Sequence, residues 1–434
     1  MRALYQVFFA VFFALSAPYY FWKMWRRGGW RRGFGERFGA IAPEKLRPLA
    51  DANVLWLHAV SVGEVGVCAQ LVATLRPQLP GWKFLVSTTT TTGMGEAEKR
   101  LPADVARIYY PVDFPWVVRR VLRAVRPAAV VLVEAELWPN FLWQTQALGL
   151  PVFLANARIS DRSFPRYRRA GFLFRGMFAA FAGVGAQNGP DAARLRALGC
   201  RAEAVSVTGN LKFDAVRPPD PAKHSPAELL RQLGVPDDAP VLVAGSTHDG
   251  EEHLLAAMLP RLRARCPSLF LVLVPRHFER TKAVTEELRA LGVRFALRTE
   301  LAEGKPFAPG SVECLLVNTT GELMSFYTRA TVVFVGKSLT ATGGQNPIEP
   351  GALGKPMVFG PHMENFRPIA ADFVASDGAV QVPDSAALES ALATLLADEG
   401  RRAKLGANAL RVVQRNQGAS TRTAEMIVRH LAGR

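Results

Sequence analysis

Residues 54–65 read Val-Leu-Trp-Leu-His-Ala-Val-Ser-Val-Gly-Glu-Val, and this stretch decides the fold. Val54–His58 is an apolar run of strand length. Small residues then make a turn, and Glu64 falls in the first turn of the helix that follows. Strand, short turn and helix are half of a βαβ unit, and short apolar runs continue to alternate with amphipathic stretches along the chain. Further strands are expected at Phe84–Thr88, Ala129–Val133 and Val152–Asn156. Residues 216–240 hold six of the thirty prolines and read as a linker, because proline packs poorly in helix and sheet interiors. Beyond it the pattern restarts, with strands expected at Val241–Gly245, Leu269–Val274, Cys314–Val317, Thr331–Gly336 and Pro356–Gly360. From about Ala386 the tail reads as helices rich in Ala, Leu and Arg. The expected fold is α/β, with two doubly wound domains facing a cleft.

The 434 residues are enough for two or three domains with real cores. With 49% hydrophobic and 21% charged residues, the composition is globular and excludes a disordered, collagenous or coiled-coil chain. The 53 basic residues against 37 acidic ones leave a net charge of +16, which calls for an anionic partner: nucleic acid, anionic lipid or a phosphorylated ligand. Cys68, Cys200, Cys266 and Cys314 form no CxxC pair, so neither a disulfide scaffold nor a zinc ribbon is expected.

Residues 3–22, ALYQVFFAVFFALSAPYYFW, carry no charge, and Lys23, Arg26, Arg27, Arg31, Arg32 and Arg37 follow. About twenty apolar residues suffice to cross a bilayer. Tyr19, Tyr20 and Trp22 fall where interfacial aromatics belong, and the basic side stays cytoplasmic. A cleaved signal peptide would carry its charges before the apolar run, whereas here most lie after it. A helix lying on the membrane competes with a spanning one, because Pro18 interrupts the run. Either way the expectation is an anchor on the inner face of a membrane. A second basic cluster, Arg158, Arg162, Arg166, Arg168, Arg169 and Arg175, is interleaved with Phe164, Tyr167, Phe172, Phe174, Phe178 and Phe181. It reads either as a core helix with a solvated basic face or as a surface that dips aromatics into lipid while arginines hold phosphates. The apolar anchor makes nucleic acid the less economical partner.

Several chemistries lack their signatures. There is no GxxxxGK[ST], Gly93-Met94-Gly95 lacks the third glycine of a dinucleotide fingerprint, and the seven histidines show no HExxH spacing. No cofactor and no metal are expected.

Among the residues that could do chemistry, Glu64 stands at the carboxyl end of a strand, where open α/β sheets bind ligands. The helix dipole there favours its ionised form, which could accept a proton from a sugar hydroxyl; it also reads as a dipole-complementing residue with no catalytic task. Glu134 and Glu136 alternate at a strand end and are expected on opposite faces, one toward substrate or both in structural ion pairs. Arg276, after Pro275, could grip an anion with its forked guanidinium. Asn346, Pro347 and Glu349 fit an N-cap, a first and a third helical position, and glycines before such a helix also make an anion site. Ala244–His248 offers a third strand-to-helix turn with N–H groups and hydroxyls, and the Ser87–Thr92 tract could cradle polar substrate or simply favour strand.

Taken together, HAVSVGE (58–64), EAELWPN (134–140), NARISDRS (156–163), GNLKFD (209–214), AGSTHDGEE (244–252), VPRH (274–277), GGQNPIEP (343–350) and GPHMENF (360–366) resemble the 3-deoxy-D-manno-octulosonic acid (Kdo) transferases of lipopolysaccharide synthesis. The motifs run in order over nearly the whole chain. The resemblance implies a GT-B glycosyltransferase with two Rossmann-like doubly wound domains and an N-terminal membrane-anchor helix. The implied divisions are an anchor and basic segment at 1–40, an acceptor domain at 41–215, a linker at 216–240 and a donor domain at 241–434 that includes the C-terminal helices. CMP-Kdo is the implied donor and the lipid A precursor (lipid IVA) the implied acceptor, without a metal, at the cytoplasmic face of the inner membrane among anionic lipids. Glu64 matches the family's general base, Glu134 matches a family carboxylate near the acceptor or the donor sugar, and Ser61, Glu134 and Arg158 are the expected acceptor-binding residues. Pro275, Arg276, Gly321, Glu322, Leu323, Asn346, Pro347, Ile348 and Glu349 match the segments that contact CMP. Gln345 stands where relatives often carry histidine. The rivals are a GT-B enzyme using another nucleotide sugar on a lipid acceptor, and a non-catalytic membrane-anchored protein that binds anionic ligands.

Overall fold

A computed structural model describes residues 2–26, 31–134, 137–161, 163–216, 225–303 and 306–432. Arg27, Glu136, Arg162 and residues 217–224 of the expected linker lie outside the described residues. The chain forms two compact units, Met1–Ala215 with Gln417–Arg434, and Val216–Asn416.

The first unit is built on strands β1 (Val54–Ala59), β2 (Lys83–Thr88), β3 (Ala106–Tyr109), β4 (Ala129–Val133), β5 (Val152–Ala157), β6 (Gly183–Ala186) and β7 (Val205–Val207). They form one parallel sheet in the order β3-β2-β1-β4-β5-β6-β7. Every residue of β1 is buried, as a central strand covered on both faces requires. The period-2 alternation divides it. Trp56 packs with Phe141, Val130 and Leu132 on one face, and its indole N–H donates to Ser87 Oγ at 2.8 Å. Leu55 and Leu57 face Val65, Leu71 and Phe153 on the other.

The second unit repeats the plan with β8 (Val241–Thr247), β9 (Phe270–Pro275), β10 (Phe295–Leu297), β11 (Cys314–Leu316), β12 (Val332–Val335), β13 (Met357–Phe359) and β14 (Val380–Gln381), parallel and ordered β10-β11-β9-β8-β12-β13-β14. In each sheet the order reverses beside the first strand, between β1 and β4 and between β8 and β12. Such reversals open a crevice at the strands' carboxyl ends.

Three expectations are corrected here. The last helix, Ala419–Leu431, belongs to the first unit and not to the second: Ala419, Ala424, Met426 and Ile427 are buried in the first unit's core. Asp214 fixes its start by accepting the N–H groups of Gly418 (2.9 Å) and Ser420 (2.6 Å). Gly183, without a side chain, leaves room for Met426 over β6. Residues 225–240 are not linker either. Pro226 opens the helix Pro226–Gln232 at a position where its missing N–H costs nothing, and Ser225 caps that helix. Pro18 does not interrupt the N-terminal helix, which runs unbroken over Arg2–Arg26 and is long and apolar enough to cross a membrane.

Of the basic-aromatic stretch, Phe178 and Phe181 are core residues, with Tyr167 and Phe174 packed against them. The reading in which these aromatics enter lipid therefore fails for that face. Phe172 is 78% exposed, and Arg166, Arg168, Arg169 and Arg175 are exposed with it.

Candidate active site

In the first unit the candidate site gathers where the strand order reverses. β1 ends at Ala59, and Ser61 caps the helix Val62–Leu75 by accepting Glu64 N–H. Glu64, third in that helix, turns its carboxylate back to accept the Val60 N–H at 2.9 Å and the Ser61 hydroxyl at 2.7 Å. This is a capping box in all but one donor, so Glu64 stabilises its own helix start while facing the crevice end of the sheet. Burial, reinforced by the Glu134 carboxylate, pushes the Glu64 carboxyl above its ordinary range; the Val60 and Ser61 donors and the Lys212 ammonium pull the other way. The expected dominance of the helix dipole is thus overturned by desolvation. A carboxylate so raised is a stronger base than an ordinary surface glutamate.

Glu134 follows β4, on the other side of the reversal. The expectation that it alternates on a strand is corrected, because β4 ends at Val133 and Glu134 has a left-handed backbone, φ 63°. Its carboxylate pairs with the Lys212 ammonium at 2.7 Å. Asn156, left-handed at φ 55° near the end of β5, brings its side-chain Nδ2 within 3.5 Å of the same carboxylate while its side-chain Oδ1 accepts the Leu211 N–H at 3.0 Å. Left-handed non-glycine residues cost on the order of 1–3 kcal/mol and persist where surroundings hold them, often at functional sites. Lys212 and Asn156 were assigned no role from sequence, although both lie inside the quoted motifs. Lys212 sits in a short 3-10 turn that no periodicity marks.

His58, at the end of β1, is fully buried and stacked on Tyr110 with ring centroids 3.7 Å apart. Burial pushes its pKa down to about 3, so it is neutral and unfit as a proton donor near neutral pH. Arg158 is half-buried and near Asp191. The Ser87–Thr92 tract divides: Ser87 and Thr88 end β2, and Thr90 caps the helix Thr91–Arg100 by accepting Gly93 N–H at 2.9 Å.

In the second unit the expected donor residues also collect at carboxyl ends of strands. Pro275 ends β9, buried, and Arg276 follows it exposed, its N–H donating to Thr247 O at 3.0 Å. Gly321 (φ 89°) leads into Glu322, which starts the helix Leu323–Arg329. The Glu322 carboxylate is buried and engaged, accepting Arg298 Nε at 2.8 Å and the Thr319 hydroxyl at 2.5 Å. The cap at 346 is shifted by one residue. The helix is Ile348–Ala352, Pro347 is its N-cap, and Asn346 Oδ1 accepts the Ile348 N–H at 3.1 Å while Asn346 Nδ2 donates to Glu349 at 3.2 Å. The Thr247 hydroxyl, expected to face a ligand, is instead fully buried and donates to Glu252 at 2.8 Å.

One residue of this unit escaped the sequence reading. Glu251 is fully buried and accepts four backbone N–H groups, from His248 (2.8 Å), Lys337 (2.7 Å), Ser338 (2.9 Å) and Leu339 (3.0 Å). It ties the turn after β12 to the turn after β8, the two strands that flank the reversal. Lys337 is left-handed there, φ 55°, and Gly336 is required because a Cβ would stand 2.6 Å from Ser246 O. The Gly-Glu-Glu run is the only signal in the sequence. Among the described residues no group of three or more His, Cys, Asp and Glu could hold a metal.

Comparison with known proteins adds a second line of observation. Residues 32–215 match the family model described as 3-Deoxy-D-manno-octulosonic-acid transferase (kdotransferase). The 3-deoxy-D-manno-octulosonic acid transferase of Bordetella pertussis is 35% identical over 95% of this chain and 96% of that protein. The one from Haemophilus influenzae is 31% identical over 93% and 92%. Among solved structures, a putative UDP-N-acetylglucosamine 2-epimerase from Listeria monocytogenes aligns with a TM-score of 0.59 and 14% identity over 88% of this chain and 98% of its own. UDP-GlcNAc 2-epimerase from Neisseria meningitidis gives 0.57 and 13% over 88% and 100%. At that identity the likeness concerns the fold alone, two Rossmann-like units of the GT-B type.

Proposed function

The chain belongs to the 3-deoxy-D-manno-octulosonic acid (Kdo) transferase family and is a glycosyltransferase, and from that premise we propose that it moves Kdo from CMP-Kdo to the lipid A precursor (lipid IVA) in lipopolysaccharide core synthesis. The observation that carries the reading is Glu64: a carboxylate raised by burial, at the carboxyl end of β1 beside the strand-order reversal, with the Glu134–Lys212 pair as its neighbour.

Glu64 takes the proton of an acceptor hydroxyl as the oxygen attacks the anomeric carbon of Kdo. The bond from that carbon to the CMP phosphate oxygen breaks, the electron pair leaves with CMP, and the configuration inverts. Glu134, held by Lys212 and Asn156, orients the acceptor together with Ser61 and Arg158. In the second unit, Arg276 and the backbone N–H groups around Gly321–Leu323 and Asn346–Glu349 meet the CMP phosphate, where negative charge develops. A monophosphate leaving group carries less charge than a diphosphate and needs less neutralisation. The acceptor is a phosphorylated, acylated lipid, which fits the exposed arginines at 166–175 and the apolar N-terminal helix followed by Arg26, Arg31, Arg32 and Arg37. These features support attachment at the cytoplasmic face of the inner membrane.

Replacing Glu64 by Gln keeps the shape and removes the base. E64Q is expected to cut turnover by about 10²–10⁴-fold with binding of both substrates retained. Turnover by E64Q at the wild-type rate would remove Glu64 from the mechanism. Efficient transfer from a UDP-sugar but none from CMP-Kdo would replace the donor.

A further inference from the structure

The N-terminal helix covers an open cavity of about 870 Å³ in the first unit, within the size range of sites that hold small ligands. One wall is the helix itself, through Phe13, Ala14, Ala17 and Phe21; the opposite wall includes Tyr110, Val112 and Trp138. The helix reaches this position through rings that pack inward, Tyr5 on Trp143 and Phe9 and Phe13 on Phe114. Its outward residues Phe8 and Leu15 are 68% and 79% exposed, an apolar face on the same helix that lines the cavity.

The floor is different. Thr89, Thr90 and Thr91 line it, and the Thr90 hydroxyl donates to Val60 O at 3.3 Å, while the N–H of the same Val60 donates to Glu64. The apolar cavity therefore ends one residue from the backbone that holds the candidate base. Arg37 stands at this polar end, its Nη1 donating to Thr89 O at 2.6 Å and its guanidinium 4.1 Å from the Tyr109 ring centre. Its Nε is buried and finds no partner among the described residues. Asp113, the one acidic residue in the described lining, has its carboxylate engaged by the Tyr5 hydroxyl and the Asn140 and Phe141 N–H groups.

We propose that this cavity receives an acyl chain of the lipid acceptor, with the acceptor's phosphorylated head emerging at Arg37 and Thr89–Thr91 beside the Glu64 turn. The inference rests on the transfer reading above and adds to it a subsite for the chain. It makes the membrane helix part of the acceptor site as well as an anchor. An apolar tail drawn into such a wall contributes roughly 0.8 kcal/mol per buried methylene group, enough for a few methylenes to control acceptor affinity.

The test compares the full-length protein with A17W, which fills the cavity from the helix wall, on the acylated acceptor and on the same bis-phosphorylated disaccharide with its chains removed. A17W is expected to raise KM for the acylated acceptor at least tenfold, the worth of about two methylene groups, and to leave kcat/KM for the deacylated one within about twofold. Should A17W melt well below wild type, A14W, one turn earlier on the same wall, is the second variant. Equal loss on both acceptors, or no loss on either, would overturn the proposal. So would A17W that transfers to both acceptors normally but retains less phosphatidylglycerol from vesicles than wild type does, since the cavity would then belong to bulk lipid. Wild-type protein inactive on both acceptors would overturn the transfer reading itself, and this proposal with it.

Discussion

Glu64, Glu134 and Lys212 form a charge set in which the other two act on Glu64. Glu134 raises the Glu64 carboxyl and Lys212 lowers it, on top of the larger effect of burial. If Glu64 is the base, activity rises with pH as its carboxyl loses a proton, and the acid limb of kcat/KM lies above the ordinary glutamate range. Removing the negative charge at 134 takes away a raising influence, so E134Q is expected to move that limb to lower pH. Removing the positive charge with K212A takes away a lowering influence and is expected to move it to higher pH. Opposite shifts in the two pH–rate profiles identify Glu64 as the titrating group; shifts in the same direction would point to another. The sequence alone marked Glu64 and Glu134 because each follows an apolar strand. It could not mark the left-handed backbone of Glu134, nor Lys212 and Asn156, because the contacts among them are set by how β4, β5 and the 211–213 turn meet in space.

At the scale of elements, strands made of apolar runs were legible, the three-residue β11 and β13 included, while β3, β6, β7, β10 and β14 were not. β1, β4 and β9 each contain at least four consecutive large aliphatic or aromatic residues. β6 is Gly-Val-Gly-Ala, where Gly183 makes room for Met426 and Gly185 for Thr208, so packing rather than propensity makes the strand. Glycines of this kind allow a sharp prediction. A Cβ on Gly245 in β8 would stand 1.9 Å from Tyr327 Oη and 2.9 Å from a Leu323 methyl. G245A is therefore expected to destabilise the second unit by about 1–3 kcal/mol, read as a lower melting temperature. Y327F removes the closest atom, so the double variant should recover part of the loss. Fully additive effects would show that the hydroxyl is not the obstacle.

For the whole molecule, the chain's path is the feature that sequence patterning missed. An amphipathic C-terminal helix after a run of second-unit elements reads as part of that unit, yet its apolar face completes the first unit's core. Ile427 is fully buried there among residues of the first unit. I427A is expected to cost about 2–5 kcal/mol, with faster amide exchange in first-unit strands and unchanged exchange in β8–β13. Protection lost from β8–β13 instead would contradict the assignment of this helix. The measurement that bears most directly on the account as a whole is the product mass after incubation of the full-length protein with CMP-Kdo, generated in situ, and the purified lipid A precursor. The account predicts an acceptor enlarged by one or more Kdo units with wild-type protein and, at equal times, essentially unmodified acceptor with E64Q. No Kdo adduct with wild-type protein, in detergent that keeps the acceptor dispersed, would contradict it.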